Sequence, residues 1–91
     1  MLQITDAHYV RDFILNLSFN NSETYRVDLQ QALNTPVHRS LLDHKEFVQY
    51  ALVHGTIEWA NGADFAPEYL LELGREQNVG KGKVRSKIRV K

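Results

Sequence analysis

Phe13-Ile14-Leu15-Asn16-Leu17-Ser18-Phe19, then Asn20-Asn21-Ser22, then Thr24-Tyr25-Arg26-Val27-Asp28-Leu29 is the stretch that decides the fold. In an extended chain successive side chains point to opposite faces, so Phe13, Leu15, Leu17 and Phe19 share one face. The Asn-Asn-Ser run is turn chemistry, because asparagine tolerates positive φ and its amide bonds the local backbone. Tyr25, Val27 and Leu29 then repeat the alternation. Two alternating segments about a short polar turn predict an antiparallel hairpin with one buried face.

Working outward, Ile4 to Tyr9 is β-branched and aromatic enough for a preceding strand, with an irregularity at Asp6-Ala7. Downstream, Gln30 to Asn34 predicts a helical turn ended by Thr35-Pro36, since a residue before proline avoids the α region. His38 to Leu42 is expected to be irregular. Asp43 suits the N-cap of a short helix through Phe47 and Val48, with Glu46 placed as in a capping box. Ala51-Leu52-Val53-His54 and Thr56-Ile57-Glu58-Trp59 predict two short strands flanking Gly55. Asn61-Gly62 is a strong turn signal. Pro67 suits the first turn of a helix with Leu70, Leu71 and Leu73 as its apolar stripe and Gly74 as its stop. The fold class is therefore α+β: an N-terminal antiparallel meander or hairpin, short helices, a second short β pair, a C-terminal helix and a basic extended tail. Residues 1–74 form one domain in this reading and residues 75–91 a basic tail, flexible or extended.

Ninety-one residues make one domain, and 43 % hydrophobic content is ordinary for a globular chain. Without cysteine there is neither a disulfide framework nor a thiolate metal site. The start shows no basic region followed by an apolar run, so no signal peptide is expected. Nothing approaches the roughly 20 apolar residues that span a bilayer. The expectation is a cytoplasmic protein with no membrane partner. The net charge of zero hides an asymmetry. Residues 1–74 carry four basic and ten acidic side chains, whereas residues 75–91 carry seven basic groups against Glu76 alone.

From Lys81 onward every odd position is a cation: Lys81, Lys83, Arg85, Lys87, Arg89 and Lys91. Between them lie Gly82, Val84, Ser86, Ile88 and Val90. In an extended segment this separates a cationic face from an apolar one. Three occupations follow. A protein groove or sheet edge would take Val84, Ile88 and Val90 on an apolar strip while the cations pair with acidic groups. Nucleic-acid phosphates would use the cations alone, with steep salt dependence. The tail could also dock on the acidic body of its own or a neighbouring copy, giving a homo-oligomer. Set against these is the plain reading of a solvated terminus.

The second candidate site is Trp59, Asn61, Gly62, Asp64, Pro67 and Glu68. An indole with two nearby carboxylates could line a cleft for a cation. A structural role fits better: Asn61-Gly62 turns the chain, Asp64 bonds local backbone N–H groups, and Glu68 sits at a helix N-terminus. His8, His38, His44 and His54 fall in no metal-ligand spacing, and the serines lack a nucleophile-elbow motif. No metal, no cofactor and no enzymatic activity are expected.

The run Ile57-Glu58-Trp59-Ala60-Asn61-Gly62-Ala63-Asp64-Phe65-Ala66-Pro67-Glu68-Tyr69-Leu70 resembles the small bacterial proteins grouped as domain of unknown function 2442. Phe19-Asn20-Asn21-Ser22-Glu23, Tyr25-Arg26-Val27-Asp28-Leu29, and Leu41-Leu42-Asp43 with Phe47 match the family's earlier motifs. The resemblance spans about Ile4 to Leu73. Ala60 departs from the family's usual proline, the first hairpin turn lacks its common glycine, and Leu71 replaces a frequent aromatic. The resemblance implies a compact α+β unit with an N-terminal meander. It also implies a gene encoded beside that of another small uncharacterised protein, and some members are proposed antitoxins. A C-terminal helix-turn-helix carried by some members is not expected within 91 residues. The basic tail lies beyond the matching core and no catalytic residues transfer. The resulting expectation is a non-enzymatic adaptor or antitoxin that binds a small toxin-like protein through Lys81, Lys83, Val84, Arg85, Lys87, Ile88, Arg89 and Val90. The alternative is a nucleic-acid-binding module using the same cations.

Overall fold

The computed structural model describes residues 1 to 85, with side-chain surroundings through Asn78. Strands β1 (Ile4–Arg11), β2 (Ile14–Phe19) and β3 (Thr24–Asp28) form an antiparallel sheet in that order. Leu15 lies opposite Tyr9 and Val27, and Leu17 opposite Ala7 and Tyr25, so the alternating apolar residues share a face. Phe13, Leu15, Leu17, Phe19, Val27 and Leu29 are all buried, as their period of two predicts. The other face carries Asn16, Ser18, Thr24 and Arg26. β1 shifts register between Ile4 and Asp6 and again between Tyr9 and Arg11.

Both turns of the meander use positive φ, at Asp12 (48°) and Ser22 (74°). The second falls on the serine, which leaves the asparagine side chains free to bond. Asn21 Oδ1 accepts the Glu23 N–H at 3.0 Å. Asn20 accepts the Gln3 N–H at 3.0 Å and donates to the Met1 carbonyl at 2.8 Å, tying the chain's start to the turn.

The second sheet is the hairpin β4 (Tyr50–Val53) and β5 (Thr56–Trp59). His54 belongs to its two-residue turn, where His54 and Gly55 both take positive φ (53° and 80°), as tight hairpins require. The Gly55 carbonyl accepts the Ile4 N–H at 2.8 Å and joins the two sheets. Gly55 is also held to glycine by space, since a Cβ there would sit 2.8 Å from Gln3 Cγ.

The middle is more regular than the sequence suggests. Gln30–Ala32 is a single 3-10 turn, and helix α1 (Pro36–Arg39) fills part of the stretch expected to be irregular. The Thr35-Pro36 pair that ends one turn starts the next: Thr35 is extended, its side chain accepts the His38 N–H, and Pro36 opens the helix. A 3-10 turn at Ser40–Leu42 leads to α2 (His44–Phe47), whose N-cap Asp43 accepts the Lys45 N–H at 3.0 Å. The Asp43 N–H is taken by Ser40, so Glu46 does not complete a reciprocal capping box.

Helix α3 (Pro67–Arg85) begins at the expected proline but does not stop at Gly74. Gly74 is buried and serves close approach: a Cβ there would lie 2.9 Å from the Cβ of Tyr25. Leu70 and Leu71 are buried and close one core with Ile57, Trp59, Phe47 and the meander. Past Gly74 the helix continues because extending a formed helix is far easier than nucleating one. Cations towards a helix C-terminus favour it further. Residues 81–85 continue α3, and residues 86–91 lie outside the described residues. Among the described residues no helix is long and apolar enough to cross a membrane.

Candidate functional site

Trp59 ends β5 with its indole buried. Its Nε1–H donates to the Phe47 carbonyl at 2.7 Å, giving that backbone group a partner inside the core. The Trp59 carbonyl accepts the Gly62 N–H at 2.9 Å and its N–H donates to the Ala63 carbonyl at 2.8 Å, which closes the Asn61-Gly62 turn. Gly62 takes the left-handed conformation (φ +88°) but Asn61 does not, so the turn is not one in which both residues of the Asn-Gly pair have positive φ. Asn61 reaches outward from the turn. Its amide donates to the Val37 carbonyl and to Ser40 Oγ, both at 3.0 Å, while Oδ1 accepts the Ala63 N–H at 3.0 Å. One side chain thus joins the turn to α1 and the 3-10 turn after it.

Asp64 behaves differently from its expected role. It contributes backbone rather than carboxylate: its carbonyl pairs with His38 Nε2 at 2.8 Å, and it bridges to Glu58. Because a carbonyl only accepts, Nε2 donates to it, and Nδ1 pairs with the Thr35 hydroxyl 2.6 Å away. The ring also stacks on Phe65, centroids 4.3 Å apart and planes 11° apart, and Phe65 stacks in turn on Tyr69. His44 stacks on Phe13 at 4.3 Å. Both histidines pack on aromatic rings, His38 half-buried and His44 exposed. No local signal announces this, since the contacts join segments far apart in the chain.

Pro67 and Glu68 form the start of α3, with Glu68 the acidic residue of its first turn. Around Trp59 the pieces therefore interlock as a structural clasp. Along β4 and β5 a shallow groove of about 430 Å³, lined by Gln49, Tyr50, Ala51, Glu58 and Trp59, remains open. A second, of about 380 Å³, lies on the outer face of the meander between Val10, Arg11, Ile14, Arg26 and Gln77. Among the described residues no group of three or more histidines and carboxylates is arranged to hold a metal.

The root of the basic region is committed to the fold. Arg75 grips the Glu23 carboxylate through two nitrogens, and the Tyr25 hydroxyl donates to the same group. The Arg75 guanidinium first, and then the Tyr25 hydroxyl, hold the Glu23 carboxyl down at about 2. The same pairing raises Arg75 and Tyr25. Gln77 meets the outer edge of β3 as another strand would, accepting the Asp28 N–H at 2.8 Å and donating to the Asp28 carbonyl at 2.9 Å. Asn78 donates to the Arg26 and Gly74 carbonyls. Of the tail residues singled out from sequence, Lys81, Lys83, Val84 and Arg85 fall on α3, while Lys87, Ile88, Arg89 and Val90 lie outside the described residues.

The family model "Protein of unknown function (DUF2442)" matches residues 4–76, and the chain belongs to that family. No curated protein matches the sequence. The fold is similar to that of a crystal structure described as a putative DNA-binding protein from Nitrosomonas europaea, with a TM-score of 0.74 at 20 % identity. The match covers 96 % of this chain and 62 % of that one, so this chain spans less than two thirds of its structural neighbour.

Proposed function

We propose that this member of the family is a non-enzymatic, cytoplasmic nucleic-acid-binding module that grips phosphates through Lys81, Lys83, Arg85, Lys87, Arg89 and Lys91. The observation that carries the reading is the division of the cations around Asn78. Arg75 is spent on Glu23, whereas residues 81–91 hold six cations and no carboxylate. Gln77 and Asn78 clamp α3 to β3 immediately before that run, so the cations leave the acidic body from a fixed root. A segment of this kind supplies the sequence-independent electrostatic part of nucleic-acid binding. The acidic body then orients it, since like-charged phosphates are repelled from residues 1–74. The similarity of fold to a protein described as a putative DNA-binding protein supports the same class. The helix through Arg85 weakens the competing reading, a protein-binding adaptor or antitoxin arm, because that reading drew on an extended segment with one apolar face.

Fluorescence anisotropy with a labelled DNA duplex tests this. Log affinity should fall with log salt at a slope of about −0.9 per phosphate contact, approaching about −5 if all six cations engage. Replacing Arg85, Lys87 and Arg89 by glutamine should reduce the slope by roughly 3. Binding that ignores salt, or survives the triple substitution unchanged, removes the phosphate reading. Tight, salt-tolerant association with a small protein partner would favour the adaptor instead.

A further inference from the structure

Among the described residues the two sheets have four edges; that of β5 is met by the Ala63–Asp64 segment, and the other three are treated unequally. The outer edge of β3 is covered by the side chains of Gln77 and Asn78. The outer edge of β1 is interrupted by two register shifts and bears Asp6, His8 and Arg11. Irregularity and charge are the usual protections against edge-to-edge pairing. β4 has neither. Val48-Gln49-Tyr50-Ala51-Leu52-Val53-His54 contains no aspartate, glutamate, lysine, arginine or proline.

The direction of the β4 backbone groups follows from the register. The Trp59 N–H donates to Ala63, away from β4, so Trp59 and its partner Tyr50 form a non-hydrogen-bonded pair. By alternation Leu52, opposite Ile57, is the next such residue. The N–H and C=O groups of Tyr50 and Leu52 therefore point off the outer edge, and among the described residues no backbone or side-chain group is bonded to them. Leu52 and Val48 stand beside this edge with 43 % and 42 % of their surface exposed.

We propose that this edge pairs with the same edge of a second copy, giving a two-fold dimer with a continuous four-stranded sheet in the order β5-β4-β4-β5. A second copy is favoured because the surface is self-complementary. An antiparallel pairing centred on Ala51 sets Tyr50 of each chain against Leu52 of the other, and the four outward N–H and C=O groups of each chain make four inter-chain hydrogen bonds. The two-fold axis then passes beside alanine, the smallest side chain of β4, where facing Cα atoms come closest. Without charge along the strand, the like-charge repulsion that a symmetric pairing would concentrate is absent.

Sedimentation equilibrium in the absence of nucleic acid should return twice the 10.5 kDa chain mass. Leu52→Lys, an exposed change on the pairing edge, should return the monomer mass with an unchanged circular-dichroism spectrum. Independently, Ala51→Cys should form an inter-chain disulfide under mild oxidation, because the chain has no other cysteine and the axis brings the two positions together. His54→Cys, in the exposed turn, should cross-link at least tenfold more slowly. A monomeric wild type, a dimer that persists in Leu52→Lys, or equal cross-linking at positions 51 and 54 overturns the proposal. None of these readings depends on whether the cations bind phosphates.

Discussion

At the scale of single residues, the Trp59–Leu70 motif distributes its work unevenly between two neighbouring polar side chains. Asn61 uses its whole amide, with three hydrogen bonds to Val37, Ser40 and Ala63, and so fixes the turn against the helical middle of the chain. Asp64 supplies only backbone to His38 and to Glu58. Their substitutions should differ accordingly. Asn61→Ala removes three bonds at a net of about 0.5 to 1 kcal/mol each, since the partners regain water, for a loss of roughly 1.5 to 3 kcal/mol. In a domain of this size that lowers Tm by more than about 5 °C. Asp64→Ala keeps the backbone contacts to His38 and Glu58 and should stay within about 0.5 kcal/mol of wild type. Paired thermal melts decide it, and equal losses would mean that the Asp64 carboxylate matters after all. From sequence the Asn-Gly turn was legible, because its chemistry is local. The division of labour was not, because two of the three partners of Asn61, Val37 and Ser40, lie more than 20 positions away.

At the scale of elements, the strands were readable and the helix ends were not. Alternation and turn residues act over a few positions, so both hairpins could be placed from Phe13–Leu29 and from the strands flanking Gly55. The Thr35-Pro36 dipeptide carries a stop and a start in the same two residues, and only the cap bond from His38 reveals the second. Gly74 reads as a helix stop, yet its smallness serves the contact with Tyr25 on a different element. That contact seats α3 on β3, and the Glu23–Arg75–Tyr25 cluster locks it. Glu23 is held near 2 when folded against an ordinary value of 4.5, so its contribution is present in full above about pH 4.5. It is lost as the pH falls through that range towards 2, because the protonated carboxyl no longer attracts Arg75. Thermal melts of wild type between pH 5 and about 2 should therefore drop more steeply than those of Glu23→Gln, which lacks the titrating group. Parallel curves would show that the α3–β3 lock carries no pH-dependent stability.

At the scale of the whole molecule, the sign of charge changes along α3, and the place where binding can begin is set by the last side chain that the fold uses. Gln77 and Asn78 bond β3 and cover its otherwise open edge, and Arg75 bonds Glu23 just before it. A truncation after Gly74 removes them, leaving Glu23 without its cation and the Asp28 backbone groups without partners. A truncation after Gly80 retains every one of these contacts. The shorter chain should therefore melt several degrees lower and aggregate more readily, since an uncovered strand edge is a template for pairing. The longer one should melt within about 2 °C of wild type, having kept Arg75, Gln77 and Asn78, and should lose the steep salt-dependent binding of a DNA duplex. Differential scanning calorimetry and anisotropy on the two truncations separate the roles. If truncation after Gly80 destabilises the protein as much as truncation after Gly74, the cations belong to the fold and the phosphate reading loses its basis. If both truncations melt like wild type, the clamp between α3 and β3 contributes nothing, and the fixed root from which the cations are argued to leave the body disappears with it.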